Sequence, residues 1–147
     1  MILADKVKVI CLSCGSTNNY PMDAIGKKVI CGRCRRPLSR PGEVIEVFPE
    51  QAYTLIQKSS LPVLIDFYSP TCAPCHMMNP IVQDLAERRA GELMVLQVDT
   101  SKHPELGAAF GVQGVPTFII FAKGFERARN IGGMSETDFS LWVASKI

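Results

Sequence analysis

The sequence predicts an α/β body, with a central mixed sheet flanked by helices on both faces, preceded by a small cysteine-rich module. Three observations carry this expectation. From residue 42 onward, short apolar runs alternate with segments whose apolar residues recur at helical spacing. One run, Val63-Leu64-Ile65-Asp66-Phe67-Tyr68, is almost wholly apolar, as expected of a strand covered on both faces. Before residue 42 the composition shifts to Gly, Arg, Lys and Asn, with few large apolar side chains and four cysteines.

The elements follow in order. Residues 1–41 hold two C-x-x-C pairs and end in Arg36-Pro37-Leu38-Ser39-Arg40-Pro41-Gly42, where two prolines and a glycine mark a linker. The expected units are therefore 1–41 and 42–147. Val44 to Val47 reads as a short strand, and Glu50 to Lys58 as a helix following Pro49. After the strand at 63–68, a helix from Cys72 to about Arg89 repeats Met78, Ile81, Val82, Leu85 and Ala86 on one side. Leu93 to Asp99 is the next strand and Pro104 to Phe110 a short helix. Thr117 to Ala122 and Arg127 to Ile131 read as strands joined at Lys123-Gly124. The last helix starts at Ser135, with Asp138 three residues on as a cap, and buries Phe139, Trp142 and Val143.

The 147 residues suffice for one ordinary domain plus a mini-domain. The longest apolar runs are strand-sized, far below the roughly 20 residues of a spanning helix, so no membrane association is expected. The first ten residues carry Asp5, Lys6 and Lys8 and no small-residue cleavage site, which points to the cytoplasm. In that reducing compartment six cysteines suggest metal binding or redox catalysis rather than a structural disulfide framework. Residues 1–41 hold eight Lys/Arg against two Asp/Glu, and the remainder eight against twelve. The net +2 thus hides a basic head on an acidic body, a pattern compatible with an anionic partner or with charge compensation of metal-bound thiolates.

The chemistry concentrates in Ser69-Pro70-Thr71-Cys72-Ala73-Pro74-Cys75-His76. A buried strand runs into a tight turn and places Cys72 at a helix start, where unpaired amides and the positive end of the helix dipole favour a thiolate. The thiolate is the nucleophile of disulfide exchange. Cys75, one turn deeper, can close a disulfide with Cys72 and so resolve a mixed disulfide. Pro74 is tolerated in the first helical turn and restricts it. The competing reading, half of a second metal site, lacks partners: only His76 and His103 remain. Asp66, a carboxyl in an apolar strand, should have a raised pKa and could pass protons near neutrality; it could also be a buried Asp satisfied by structural hydrogen bonds.

On these residues the segment from about Val44 to Ile147 resembles the thioredoxin family. The resemblance implies the thioredoxin fold and a disulfide-reductase activity in which Cys72-Ala73-Pro74-Cys75 is the active-site tetrapeptide. It implies that Asp66 assists proton transfer at the second cysteine. Val115-Pro116-Thr117 would be the loop whose cis-proline faces the dithiol, Pro80 a proline within the active-site helix, and Gly132 part of the substrate groove. Thr71, Ala73, Pro74, Val115 and Gly132 are the expected client contacts. The departures are Thr71 in place of tryptophan, Tyr68 in place of another aromatic, Ala73 in place of glycine, and Gln97 in place of a lysine near the buried aspartate. The last should let the pKa of Asp66 rise further. His76 either tunes the thiolate or is a solvated surface residue.

Cys11-Leu12-Ser13-Cys14 and Cys31-Gly32-Arg33-Cys34 are separated by sixteen residues, a spacing typical of structural zinc sites of the zinc-ribbon kind. Two knuckles, with Gly15 and Gly32 supplying permissive backbone, would complete a tetrahedron around one ion. Some forty residues with a thin core need such a staple, so metal binding would be folding. A disulfide-rich module or free thiols are the alternatives. The combination with the body resembles the zinc-containing bacterial thioredoxins.

The expected function is therefore reduction of disulfides in client proteins through Cys72 and Cys75, with recycling by a thioredoxin reductase and NADPH as the ultimate donor. No cofactor beyond structural zinc is expected, and the chain should be a monomer. The alternative is a redox-linked adaptor whose basic head binds a partner or nucleic acid through Arg33, Arg35, Arg36 and Arg40. Tyr20 is the head's single aromatic, which weighs against nucleic acid.

Overall fold

A computed structural model describes residues 6–21, 28–39 and 42–147. Asp5, Arg40 and the expected boundary at residue 41 lie outside the described residues, as does the side chain of Tyr20.

The head contains an antiparallel pair, β1 (Lys6–Ile10) and β2 (Thr17–Pro21), in which Ile10 pairs with Thr17 on either side of the first C-x-x-C turn. No signal in the cysteine spacing announces these strands. Strand alternation then splits two neighbours between two cores. Val9 joins Cys11, Cys31 and Leu38 in a small cluster of the head, whereas Ile10 packs into the body with Leu55, Ile56 and Phe67. Ile10 is 4% exposed, and its burial contributes roughly 1.5–3 kcal/mol to holding the head on the body.

The body is built from β3 (Val44–Glu46), α1 (Pro49–Lys58), β4 (Val63–Tyr68), α2 (Ala73–Arg88), β5 (Met94–Asp99), α3 (Pro104–Ala109), β6 (Thr117–Ala122), β7 (Phe125–Ile131) and α4 (Glu136–Lys146). Its five strands are ordered β3-β5-β4-β6-β7, parallel across β3-β5-β4 and antiparallel from β4 to β6 to β7. β4 lies at the centre, and the sheet is covered on both faces. Ile65 and Phe67 face α1 and α3 with Leu55 and Leu106. Leu64 points the other way, against Met78, Val82 and Leu85 of α2 and Phe139 and Val143 of α4. By the same alternation Asp66 lies on the α2 face. The mixed sheet with helices on both sides is the predicted architecture.

Some details differ from expectation. Lys123 and Gly124 both have positive φ, 54° and 85°, so the β6–β7 connection is a two-residue turn and β7 begins at Phe125, two residues early. The β6–β7 register shifts between Ile120 and Phe121. Trp142 is half-buried, packed on the core margin beside Phe139 rather than within it. The Ser135 cap is present: its hydroxyl accepts from the Asp138 amide at 3.1 Å.

Candidate active site and metal centre

β4 delivers the chain to the turn Ser69-Pro70-Thr71, and Cys72 is the N-cap of α2, with extended backbone at φ −89° and ψ 112°. Its sulfur accepts from the Cys75 amide at 3.2 Å, one of the otherwise unpaired donors of the first turn. Pro74 sits in that turn, where no amide is required. Cys72 and Cys75 form a disulfide with Cα atoms 5.2 Å apart. The two sulfurs are not equivalent. Cys75 is buried, 3% exposed, while Cys72 is half-exposed and lies 3.6 Å from the Val115 carbonyl oxygen. His76 is exposed, and its Nε2 meets the Pro70 carbonyl oxygen at 2.6 Å, tying the helix start back to the preceding turn.

Val115 and Pro116 come to the dithiol from the loop before β6, and the peptide bond between them is cis. Thr117 Oγ1 donates to the Gly114 carbonyl at 2.6 Å, and the Gly132 amide donates to the Pro116 carbonyl at 2.8 Å. Gly132 has φ +95°, a conformation that side-chain-bearing residues rarely adopt. The structure therefore brings Cys72 beside Val115 and ties Gly132 to Pro116. Thr71, Ala73 and Pro74 form the exposed entry to α2. Next to Pro74 a groove of about 380 Å³ is lined by Met77, Met78, Ile81 and Met134, with Met77 75% exposed. Sequence reading did not single out Met77 or Met134, which occupy ordinary helix and loop positions.

Asp66 is 2% exposed. Gln97 Nε2 donates to its Oδ2 at 3.1 Å, while its Oδ1 is buried with no hydrogen-bond partner among the described residues. Burial is the main cause that pushes this carboxyl up to about 6, the Gln97 amide opposing and the Glu46 carboxylate adding to the rise. Glu46, whose charge acts on Asp66, and Asn79, whose Oδ1 lies 3.5 Å from Gln97 Nε2, are further residues that sequence reading missed. Asn79 could have been found as the residue four after Cys75, on the same helical side. Glu46 could not, since it pairs with Gln97 only through strand register.

The raised carboxyl makes stability depend on pH. Between the ordinary carboxylate range and about pH 6, the native chain binds a proton at Asp66 that the unfolded chain has lost, so stability falls as pH rises through this window. Asp66→Asn is expected to stabilise the protein at pH 7 by about 2–3 kcal/mol, with the gain vanishing near pH 4. Urea midpoints at both pH values measure it.

In the head, Cys11, Cys14, Cys31 and Cys34 converge, with all four sulfurs within 4.8 Å of one another and none disulfide-bonded. Cys11–Cys34 and Cys14–Cys31 sulfurs are each 3.7 Å apart. The edge of a tetrahedron with metal–sulfur bonds of about 2.3 Å is about 3.8 Å, so the four donors fit a tetrahedral thiolate-bound ion. The surroundings act unequally on these thiols: Cys14 and Cys31 are held down, whereas Cys34, against the Arg36 backbone, is pushed up to about 11 by burial and the neighbouring cysteines. The Ser16 hydroxyl, then the Cys34 amide, hold the Cys31 thiol down to about 5 against burial, with Asn18 and the Arg33 amide contributing.

The two turns share one hydrogen-bond pattern: Cys11 N to Ser16 O and Gly15 N to Cys11 O, repeated as Cys31 N to Arg36 O and Arg35 N to Cys31 O. The left-handed position after each second cysteine is filled by Gly15 (φ +77°) and Arg35 (φ +68°). The expectation that Gly32 supplies this freedom is therefore corrected. Gly32 lies between the cysteines, where positive φ is not needed, and its amide donates to Asn18 Oδ1 at 2.9 Å.

A half-exposed sulfur at a helix start, bonded to a buried partner one turn deeper, makes this an α/β protein built for thiol–disulfide exchange. The thioredoxin family model matches residues 43–145, and the chain belongs to the thioredoxin family. It is 32% identical over 139 residues to thioredoxin C-3 of Corynebacterium nephridii, covering 95% of this chain and 94% of that protein, so the likeness extends into the head. It is 34% identical over 82 residues to thioredoxin 1 of Nostoc sp., covering 56% of this chain and 77% of that one. In structure it is similar to a mutant thioredoxin from Halobacterium salinarum NRC-1, with TM-score 0.66 and 30% identity over 74% of this chain and 94% of that chain. The chain is thus a thioredoxin-type protein-disulfide reductase. Among the described residues, no helix is long and apolar enough to cross a membrane.

Proposed function

We propose that this chain is a zinc-containing cytoplasmic thioredoxin that reduces disulfides of client proteins through Cys72 and Cys75 and is reset by a thioredoxin reductase using NADPH. The observation that carries this reading is the pairing of a half-exposed Cys72 at the start of α2 with a buried Cys75. In the reduced chain the Cys72 thiolate attacks one sulfur of a client disulfide, and the other client sulfur leaves as a thiolate. Cys75 then loses its proton to Asp66 and attacks Cys72. The Cys72–client bond breaks, the client departs reduced, and the dithiol is left as the disulfide seen here. Client backbone lies against Val115 and Pro116, with Thr71, Ala73, Pro74 and Gly132 around it. Thr71 in place of an aromatic makes this rim more polar.

Cys11, Cys14, Cys31 and Cys34 hold one zinc ion, which supplies charge neutralisation and a fixed geometry. Four thiolates leave no open position, so the ion takes no part in exchange. The head, 1–41, and the body, 42–147, act as two units with Ile10 of the first seated in the core of the second, and the protein works as a monomer.

The test is reduction of insulin by the full chain, coupled to NADPH and a thioredoxin reductase. Steady NADPH consumption that depends on the chain is the expected result. Zinc-loaded, folded chain that neither reduces insulin with dithiothreitol nor accepts electrons from the reductase would favour the adaptor role of the basic head instead.

A further inference from the structure

Asn18 stands on β2 opposite Val9 on β1. Paired positions of an antiparallel ribbon project to one face, and on that face Val9 packs with Cys11 and Cys31. Asn18 is half-buried there, while the next residue, Asn19, is exposed on the other face. The strand period thus turns one asparagine of an adjacent pair toward the four sulfurs and the other toward water.

The Asn18 carboxamide uses both of its ends. Oδ1 accepts the Gly32 amide at 2.9 Å, which fixes the orientation of the group. Nδ2 then lies 3.4 Å from Cys31 Sγ and 3.4 Å from the Ser16 carbonyl oxygen, one acceptor for each of its two hydrogens. Cys31 and Gly32 belong to the second cysteine turn, whereas Ser16 and Asn18 follow the first. One side chain therefore ties the two turns together through a backbone group and a sulfur.

Cys31 has use for such a donor. Its exposure is 0%, so water does not share the charge of its thiolate. Its sulfur is met by the Arg33 amide at 3.3 Å and the Cys34 amide at 3.5 Å, both from its own turn, and by Ser16 Oγ at 3.2 Å. Ser16 Oγ also lies 3.1 Å from Cys14 Sγ, and a hydroxyl has a single hydrogen to give. When that hydrogen serves Cys14, Asn18 still donates to Cys31 from across the turns.

We infer that Asn18 belongs to the metal centre without being a ligand: it latches the second cysteine turn onto the first and takes up part of the charge of the Cys31 thiolate. The inference rests on the four-thiolate zinc reading above and is independent of the dithiol. Four thiolates around one divalent ion leave negative charge in excess, and a donor on a buried sulfur spreads that charge without adding a ligand. An aspartate at this position would keep the bond to the Gly32 amide and set an anion against the sulfur in place of the donor.

The experiment compares the full-length, reduced chain as wild type, Asn18→Leu, Asn18→Asp and Asn19→Leu. Leucine keeps the branched shape of asparagine and has neither polar end. Zinc affinity is read by competition with a chromophoric chelator. The sulfur-to-metal charge-transfer absorption is read after cobalt(II) replaces zinc, in enough excess to fill a weakened site. Asn18→Leu should weaken zinc binding about tenfold or more, and Asn18→Asp about 100-fold or more. The cobalt band should move to lower energy in both, because a thiolate that has lost a donor gives up its electrons more readily. Asn19→Leu should leave both readings at the wild-type value.

Affinity and band unchanged in Asn18→Leu would overturn the inference. So would weaker binding with the cobalt band at its wild-type position, the signature of lost packing alone, or an equal loss in Asn19→Leu. A wild-type chain that takes up neither zinc nor cobalt overturns this inference and the zinc reading together, and leaves the dithiol chemistry standing.

Discussion

Replacing Cys72 by serine is expected to lower insulin reduction by more than about 10³-fold, to the uncatalysed background, without unfolding the protein. The hydroxyl fits the N-cap and can accept the Cys75 amide hydrogen bond now made by sulfur at 3.2 Å. What it cannot do is exist as an anion near neutral pH. The helix-start amides that stabilise a thiolate are then of no use. Cys75→Ser should behave differently. Cys72 can still attack, but the resolving sulfur is gone, so the chain accumulates as a covalent adduct with its client that dithiothreitol releases. Non-reducing gels and mass spectra of the adduct separate the two variants. Equal turnover in Cys72→Ser and the parent would remove Cys72 from the chemistry, whatever the fold.

On the proposed zinc reading, treatment with a strong chelator at neutral pH is expected to unfold the head over residues 6–21 and 28–39 and leave the body folded. The small cluster of Val9, Cys11, Cys31 and Leu38, with Cys14, Val29 and Cys34 packed against it, is mostly the ligand set itself, so little holds the head once the thiolates separate. Zinc binding to four thiolates is worth about 10–16 kcal/mol of apparent free energy, far more than so small a core can replace. Cys31→Ser should have the same effect with metal present. Cys31 is fully buried, and its sulfur receives the Arg33 amide at 3.3 Å and the Asn18 amide at 3.4 Å. Hydrogen-exchange mass spectrometry gives the result directly: protection lost across both cysteine turns and retained in β4 and β6. The body should weaken by only the roughly 1.5–3 kcal/mol that seating Ile10 contributes. Protection surviving in the head after metal removal would mean that packing or a disulfide holds it.

Much of this protein is legible from residue order. The apolar run at 63–68, the helical repeat after Cys72 and the cap at Ser135 are local patterns, set by periods of two and 3.6 residues, and they place the body's elements in the order found. The dithiol is legible for the same reason, since a C-x-x-C pair at a strand-to-helix turn is decided within eight residues. The four head cysteines are legible from spacing alone.

What surrounds those groups is another matter. Asp66 stands out as a carboxyl in an apolar strand, yet Gln97 and Glu46, which act on it, arrive from β5 and β3, and Asn79, which meets Gln97, arrives from α2. Their meeting depends on strand register and helix placement, which sum contacts over the whole body. The head makes the same point. Spacing identifies the knuckles, but folding selects Arg35, and not Gly32, for the left-handed position, and sends Val9 and Ile10 into different cores. Residue order thus settles which atoms can do chemistry and which segments carry them. Packing settles the field and the hydrogen bonds under which they act, because these come from residues distant in sequence that meet within a few ångströms once the chain has folded.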